Sequence, residues 1–295
     1  MSDIPFRCGF VAVIGKPNVG KSTLVNHLIG QKISITSKKA QTTRHKINGI
    51  YNAENVQIIF TDTPGFQTKY RNAMNDRLNQ NVLDTVNTVD LILFVVEAGK
   101  YNNDDDNILK RLPENIPTLL IINKSDKIKN KRELETFIDK IKQRHQFIDY
   151  QIVCAKHGLN LQTLIDKIIS QLPENQPFYD DDIPTDKSVR FLVSEIIREK
   201  IFRHFGEELP YSTNVEIEQF IETDELAKIH AAVLVEKEGQ KGILIGKGGE
   251  KLKNISTEAR IDIEKLLDKK VFIRVFVKVK SGWADDIKFL NDLSV

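Results

Sequence analysis

Gly15, Lys16, Pro17, Asn18, Val19, Gly20, Lys21 and Ser22 fit the pattern GxxxxGK[ST]. They follow a short β-branched run and precede a helical period, the context in which this pattern cradles phosphate. Its glycines let backbone N–H groups turn inward around an anion, and the helix N-terminus adds the positive end of its dipole. Lys21 can then reach the β and γ phosphates of a nucleotide, and the Ser22 hydroxyl can bind Mg2+.

Two further loops carry matching chemistry. Asp62, Thr63, Pro64 and Gly65 follow a second apolar run. Asp62 can hold Mg2+ through water there, and the Gly65 N–H can donate to a γ phosphate. Asn123, Lys124, Ser125 and Asp126 follow another run. A carboxylate accepts two hydrogen bonds, so Asp126 suits the N1–H and exocyclic amine of guanine, an arrangement adenine does not present. Asn123 is expected to tie this loop to the phosphate loop, with the Lys124 stem covering the base.

These loops must be carried by an α/β sheet. Strands are expected near 9–14, 56–61, 90–96, 117–122 and 150–153, with an edge strand near 46–51, and helices from about Lys21, Met74, Asp104, Lys131 and Leu161. Short apolar β-branched runs alternating with amphipathic stretches predict a mostly parallel sheet with helices on both faces. Ligands of such sheets bind at the carboxyl ends of the strands, where all three loops fall.

Over residues 8–172 the three loops resemble the G1, G3 and G4 motifs of translation-factor-type GTPases. That resemblance implies a Mg2+-dependent GTPase, with Lys21, Thr43 and Gly65 serving hydrolysis. It places the Mg2+ ligands at Ser22, Asp62 and Thr43, with Thr42 the alternative to Thr43. The family's SAK loop for the guanine O6 reads Cys154, Ala155, Lys156 here, a thiol replacing the usual hydroxyl. Ras-like proteins place Gln after the DxxG glycine to orient water, whereas this chain has Phe66. Asn18 matches the K+-coordinating Asn of cation-dependent GTPases, which implies slow, K+-stimulated hydrolysis; a plain turn residue is the equal alternative.

The α/β pattern ends at PENQPFYDDDIPTD, residues 173–186, which has three prolines and no helical or strand period. A first domain over 1–172, a linker over 173–187 and a second domain over 188–295 are therefore expected. The second domain reads αββαβ: a helix over 189–205, strands over 214–220 and 231–236, a helix over 251–267 and a strand over 271–279. Ile245, Gly246, Lys247, Gly248 and Gly249 place a GxxG tetrapeptide between a strand and a helix, followed by Lys251 and Lys253. Glycines there let a nucleic-acid backbone approach closely, and the order resembles a type II KH domain, which implies a groove for single-stranded RNA.

Length and composition set the bounds. The chain has 295 residues, 40% hydrophobic and 28% charged, which excludes a lone small module and a disordered chain. Its net charge of +2 conceals a distribution. Residues 195–238 hold 5 basic against 11 acidic side chains, and residues 241–280 hold 11 against 5. The basic stretch surrounds the GxxG loop, as nucleic-acid contact requires. Cys8 and Cys154 form no disulfide framework or zinc-ligand spacing, no signal-type leader opens the chain, and no apolar run spans a bilayer. A monomer in a reducing cytoplasm is the expectation.

Other residues have plainer readings. The acidic residues 104–106 are expected to open a helix, Trp283 to anchor a C-terminal helix over 285–293, with stacking on a base as the alternative, and Lys38, Lys39, Arg44 and Lys46 to give a basic segment able to touch RNA.

The joint arrangement is similar to the bacterial GTPases that carry a terminal KH domain, bind small-subunit ribosomal RNA near its 3′ end and assist small-subunit assembly. Those proteins are also associated with the inner membrane face, which implies peripheral contact. The alternatives are a GTPase acting on another RNA, a P-loop kinase using ATP, and an RNA-binding protein with an inert nucleotide fold.

Overall fold

The computed structural model describes residues 5–37, 39, 42–66, 73–128, 130–206 and 209–282. The chain forms two compact units, Met1–Ser34 with Thr43–Asp186, and Ile35–Thr42 with Lys187–Val295.

The first unit is built on a six-stranded sheet of order β2-β3-β1-β4-β5-β6. Its strands are β1 (Arg7–Ile14), β2 (Ile47–Ala53), β3 (Val56–Asp62), β4 (Leu91–Glu97), β5 (Thr118–Asn123) and β6 (Asp149–Ile152). All neighbours are parallel except β2 with β3, a hairpin at the edge. The helices are α1 (Lys21–Ile29), α2 (Ala73–Val86), α3 (Asn103–Leu109), α4 (Lys131–Lys142) and α5 (Leu161–Ile169). β3, β4 and β5 are buried along their whole length, which explains why they read as continuous apolar runs rather than alternating ones.

Residues 173–186 lack a period because most of their bonds go to the strands of the sheet, with one turn of their own from the Ile183 N–H to the Asp180 carbonyl. Arg7 bridges Glu174 and Gly49 bridges Thr185. The buried Gln57 side chain accepts from the backbone N–H groups of Phe178 and Tyr179 at 2.7 and 3.0 Å. Ile50 donates to the Pro184 carbonyl at 2.9 Å, and Asp186 takes both the Asn48 N–H and its side-chain amide at 3.1 Å.

The second unit has α6 (Val189–His204), β7 (Thr213–Glu222), β8 (Leu226–Val235), α7 (Glu238–Ile245), α8 (Glu250–Leu267) and β9 (Lys270–Val279). β8 is central, antiparallel to β7 and parallel to β9. Val193, Ile197 and Ile201 of α6 share a buried core with Ile255, Ala259 and Ile263 of α8 and the inner face of β8. In the same unit Glu199, fully buried, accepts from the Thr36 N–H at 3.0 Å and from Arg203 at 2.9 Å.

One element departs from the sequence reading. The GxxG tetrapeptide lies between two helices, α7 and α8, not between a strand and a helix. Ile243 to Ile245 suggest a strand by their branching, but the Gln240 side chain accepts from the N–H groups of Glu236 and Lys237 at 2.9 and 3.0 Å. Those bonds satisfy orphan donors and start a helix. Trp283, Lys38 and the stretch 285–293 lie outside the described residues.

Candidate nucleotide-binding and RNA-binding sites

The phosphate loop joins β1 to α1 and depends on unusual backbone angles. Gly15 has φ 152° and Gly20 has φ 102°, while Asn18 sits in the left-handed region at φ 65°. A Cβ on Gly15 would fall 2.4 Å from the Val95 carbonyl oxygen, so the loop packs against β4 as closely as backbone permits. Lys21 folds back under the loop, its Nζ donating to the carbonyls of Gly15 and Lys16, each at 3.0 Å. One of the three ammonium donors is thus left for an anion. Burial lowers the Lys21 pKa to about 8, against the opposing pull of Asp62.

Asp62 ends β3 beside this loop. Both of its carboxylate oxygens are buried without a hydrogen-bond donor at bonding geometry. Burial raises its pKa, opposed by the nearby Ser22 hydroxyl, the Lys21 ammonium and the Ser34 hydroxyl. Ser22 Oγ and Thr43 Oγ1 lie 3.0 Å apart. Thr42 instead donates its hydroxyl to the Lys39 carbonyl at 2.7 Å, which separates the two adjacent threonines. Orphaned carboxylate oxygens beside paired hydroxyls form an all-oxygen donor set that fits a hard cation such as Mg2+, which is bound by few protein ligands with phosphate oxygens and waters completing the shell.

Thr63 donates to the Val13 carbonyl at 2.9 Å, and Pro64 is buried beside it. A Cβ on Gly65 would lie 2.8 Å from the Pro17 Cα, so the Gly65 backbone lies directly against the phosphate loop. Phe66 turns the other way into the core and is 3% exposed, with the Arg111 guanidinium 5.1 Å over its ring.

Three loops converge through one side chain. Asn123, at the end of β5, donates to the Val19 carbonyl at 2.8 Å and accepts from the Ala155 N–H at 3.0 Å. Lys124 is left-handed at φ 59°. Its ammonium reaches the Asn18 carbonyl and Glu97 Oε2. Ser125 opens a short 3-10 turn that presents Asp126 to solvent. The Cys154 thiol donates to Asp126 Oδ1 at 3.0 Å, and this bond is the main cause lowering the Asp126 pKa. Lys156 is exposed.

Two partners here were missed from sequence. Glu97 closes β4 and receives Lys124, Lys127 and Lys100 at 2.6, 2.7 and 2.9 Å. Burial alone would raise its pKa, but the three lysines prevail and hold it at about 2. Lys16 turns its ammonium to Asp105 and to Asn102, so what Lys16 offers an anion is its backbone. The acid at the end of a buried strand was the available signal for Glu97, since such a charge must be paired.

In the second unit Gly246, Gly248 and Gly249 all have positive φ, at 73°, 60° and 79°. A Cβ on Gly246 would meet the Lys251 side chain at 2.8 Å. Lys247, Gly248, Lys251 and Lys253 are exposed, Ile245 and Gly249 half-buried. The Lys251 ammonium lies 5.1 Å over the Phe205 ring.

A phosphate loop, an acid at the end of the neighbouring strand and a guanine-type carboxylate loop on one sheet, with a GxxG-bearing α/β unit beyond them, define a GTPase that carries a KH domain. The profile of 50S ribosome-binding GTPases matches residues 10–124, and that of KH domains matches residues 208–284. The chain is 59% identical over 292 residues to GTPase Era of Neisseria meningitidis serogroup A, covering 98% of this chain and 95% of that one. It is 55% identical over 295 residues to GTPase Era of Chromobacterium violaceum, covering 100% of both. Among solved structures, an Aquifex aeolicus Era variant bound to GDP and AlF4− superimposes with a TM-score of 0.92 at 35% identity, covering 97% of this chain and 98% of that one. An Era complex with MgGDPNP and nucleotides 1506–1542 of 16S ribosomal RNA gives the same TM-score of 0.92, identity of 35% and coverage of 97% and 98%. The chain belongs to the Era family of GTPases. Among the described residues no helix is long and apolar enough to cross a membrane.

Proposed function

We propose that this GTPase binds GTP and GDP in the first unit and small-subunit ribosomal RNA, near its 3′ end, along the GxxG face of the second, and that it assists assembly of the small ribosomal subunit. The observation that carries the nucleotide part is the pair of hydrogen bonds joining Asn123 to Val19 and Ala155, which holds the phosphate loop, the base loop and the Cys154 loop as one site. The RNA part rests on the exposed basic GxxG face and on the ribosomal RNA held by a full-length relative.

In this reading the backbone N–H groups of residues 15–22 surround the β phosphate and the Lys21 ammonium bridges β and γ. Ser22, Thr43 and Asp62 would hold Mg2+, which would supply neutralising charge at the phosphate oxygens. The Gly65 N–H donates to the γ phosphate. Asp126 accepts from the guanine N1–H and amine, Ala155 donates to O6, and Lys124 covers the base while its ammonium pins Asn18. Water is the nucleophile, and Phe66, committed to the core, neither orients it nor takes its proton. Turnover is accordingly slow, with K+ at Asn18 supplying positive charge beside the phosphates. We infer further that the protein acts as a monomer in the cytoplasm, and the resemblance supports peripheral contact with the inner membrane face.

Asp126→Asn tests the base reading, because an amide donates where xanthine accepts. The variant is expected to lose GTP and gain xanthosine triphosphate turnover, with RNA binding unchanged. Replacing Lys247 and Gly248 by Asp is expected to do the reverse, abolishing RNA binding with GTP affinity unchanged. Unaltered GTP binding in the first variant would refute the role of Asp126.

A further inference from the structure

Asp126, Cys154 and His157 each offer one ligand atom, and these atoms lie within 4.8 Å of one another, a cluster that the spacing of the cysteines in the sequence does not announce because Asp126 comes from a separate loop. The thiol and the carboxylate are already 3.0 Å apart. Their backbone is fixed: the His157 N–H bonds to the Cys154 carbonyl at 3.0 Å, and Cys154 and Leu159 exchange bonds of 3.3 and 3.2 Å. Gly158, left-handed at φ 69°, closes the turn and leaves both Asp126 and His157 at the surface.

We infer that this trio is a binding site for Zn2+, and that the metal and guanine nucleotide exclude one another. The exclusion rests on the reading of Asp126 as the guanine carboxylate. A sulfur, an imidazole nitrogen and a carboxylate oxygen are the ligand types Zn2+ takes, at about 2.3 Å for sulfur and roughly 2.0–2.2 Å for nitrogen and oxygen. Tetrahedral geometry then sets the ligand atoms roughly 3–4 Å apart, close to the spacing present. Three ligands leave the fourth position to water. A hard cation such as Mg2+ prefers the all-oxygen set at Ser22, Thr43 and Asp62, so the two sites divide the metals by softness.

Binding displaces the thiol proton to solvent, so affinity rises with pH. The thiolate and carboxylate charges favour the metal against the opposing field of Lys156, which with that of His157 already acts on Asp126. Once Asp126 is a metal ligand, its oxygens no longer accept from guanine. The serine found at this position in the resembling family lacks a soft ligand, so the capacity belongs to the cysteine.

Two measurements on the full nucleotide-free chain test this. Co2+ serves as a coloured stand-in for Zn2+, and in excess Mg2+ it is expected to give a thiolate-to-cobalt charge-transfer band. The band should be lost in Cys154→Ser, weakened at least tenfold in affinity in His157→Ala, and retained in Cys8→Ala, whose thiol is buried against Gln57. Zn2+ at about ten times its dissociation constant should then raise the apparent dissociation constant of GDP roughly tenfold in the wild type. It should not do so in Cys154→Ser. His157→Ala should bind GDP alone as the wild type does. No band, or a band surviving in Cys154→Ser, overturns the metal site. A band indifferent to GDP overturns the exclusion. Failure of the guanine reading shows separately, as unchanged GTP preference in Asp126→Asn.

Discussion

The Ser22 hydroxyl, at the first turn of α1, lies 3.0 Å from the Thr43 hydroxyl on the loop entering β2. This contact sets Thr43, the Mg2+ ligand expected from the resemblance, apart from Thr42, its alternative. Thr42 has its hydroxyl on the Lys39 carbonyl, and only Thr43 faces the helix start.

Thr43→Ala should therefore raise the Mg2+ concentration for half-maximal GTP turnover by at least the ~10–100-fold that loss of even an outer-shell partner costs a metal site. Thr42→Ala removes one local hydrogen bond, worth about 1 kcal/mol, and should leave the Mg2+ dependence unchanged. Steady-state turnover against Mg2+ concentration compares the two.

Lys21 has a pKa lowered to about 8 by burial. Its folded value lies below its unfolded value, so the unfolded chain holds more protons between pH 8 and about 10.5, and the nucleotide-free protein gains stability as pH rises through that window. Phosphates restore the charge. GDP binding at pH 8 should accordingly take up about half a proton at this lysine, and affinity should fall as pH rises further. Calorimetry in two buffers of different ionisation enthalpy measures the uptake.

Glu97, held at about 2 by its three lysines, contributes stability that is present above the ordinary carboxylate value and lost as pH falls through the range from 4.5 to 2. Glu97→Gln should cost about 2–3 kcal/mol at neutral pH. The difference from wild type should shrink steadily below pH 4.5. Amide exchange of β4 and β5 resolves this locally.

Asn18 is left-handed and exposed, so Asn18→Gly removes its side chain without straining the loop. Wild-type turnover should be several-fold faster in K+ than in Na+, and the glycine variant should be equal in both. Equal wild-type rates in the two salts would exclude a K+ role.

The three loops of the proposed nucleotide site were legible because each places its signature residues within a few positions at the end of an apolar run. Lys21, Asp62 and Asn123 needed no tertiary knowledge to find. Glu97 and the pairing of Lys16 with Asp105 were not legible, since their partners come from distant loops brought together by the parallel order of β1, β4 and β5. α7 was hidden by the branched residues Ile243 to Ile245, because its start depends on a glutamine cap rather than a Ser or Thr. The parallel sheet itself was plain, as buried parallel strands leave continuous apolar runs.

Residues 173–186 appear in the sequence as spacer. In the structure Pro184, Thr185 and Asp186 occupy the outer hydrogen-bonding positions of β2 at Asn48, Gly49 and Ile50. β2 has a strand on one side only, and an open edge of this kind is a template on which a second chain can add. The prolines of the strap cannot propagate a ladder. The segment thus covers the β2 edge from Asn48 to Ile50, and displacing it should leave those backbone groups open to pairing with a second chain.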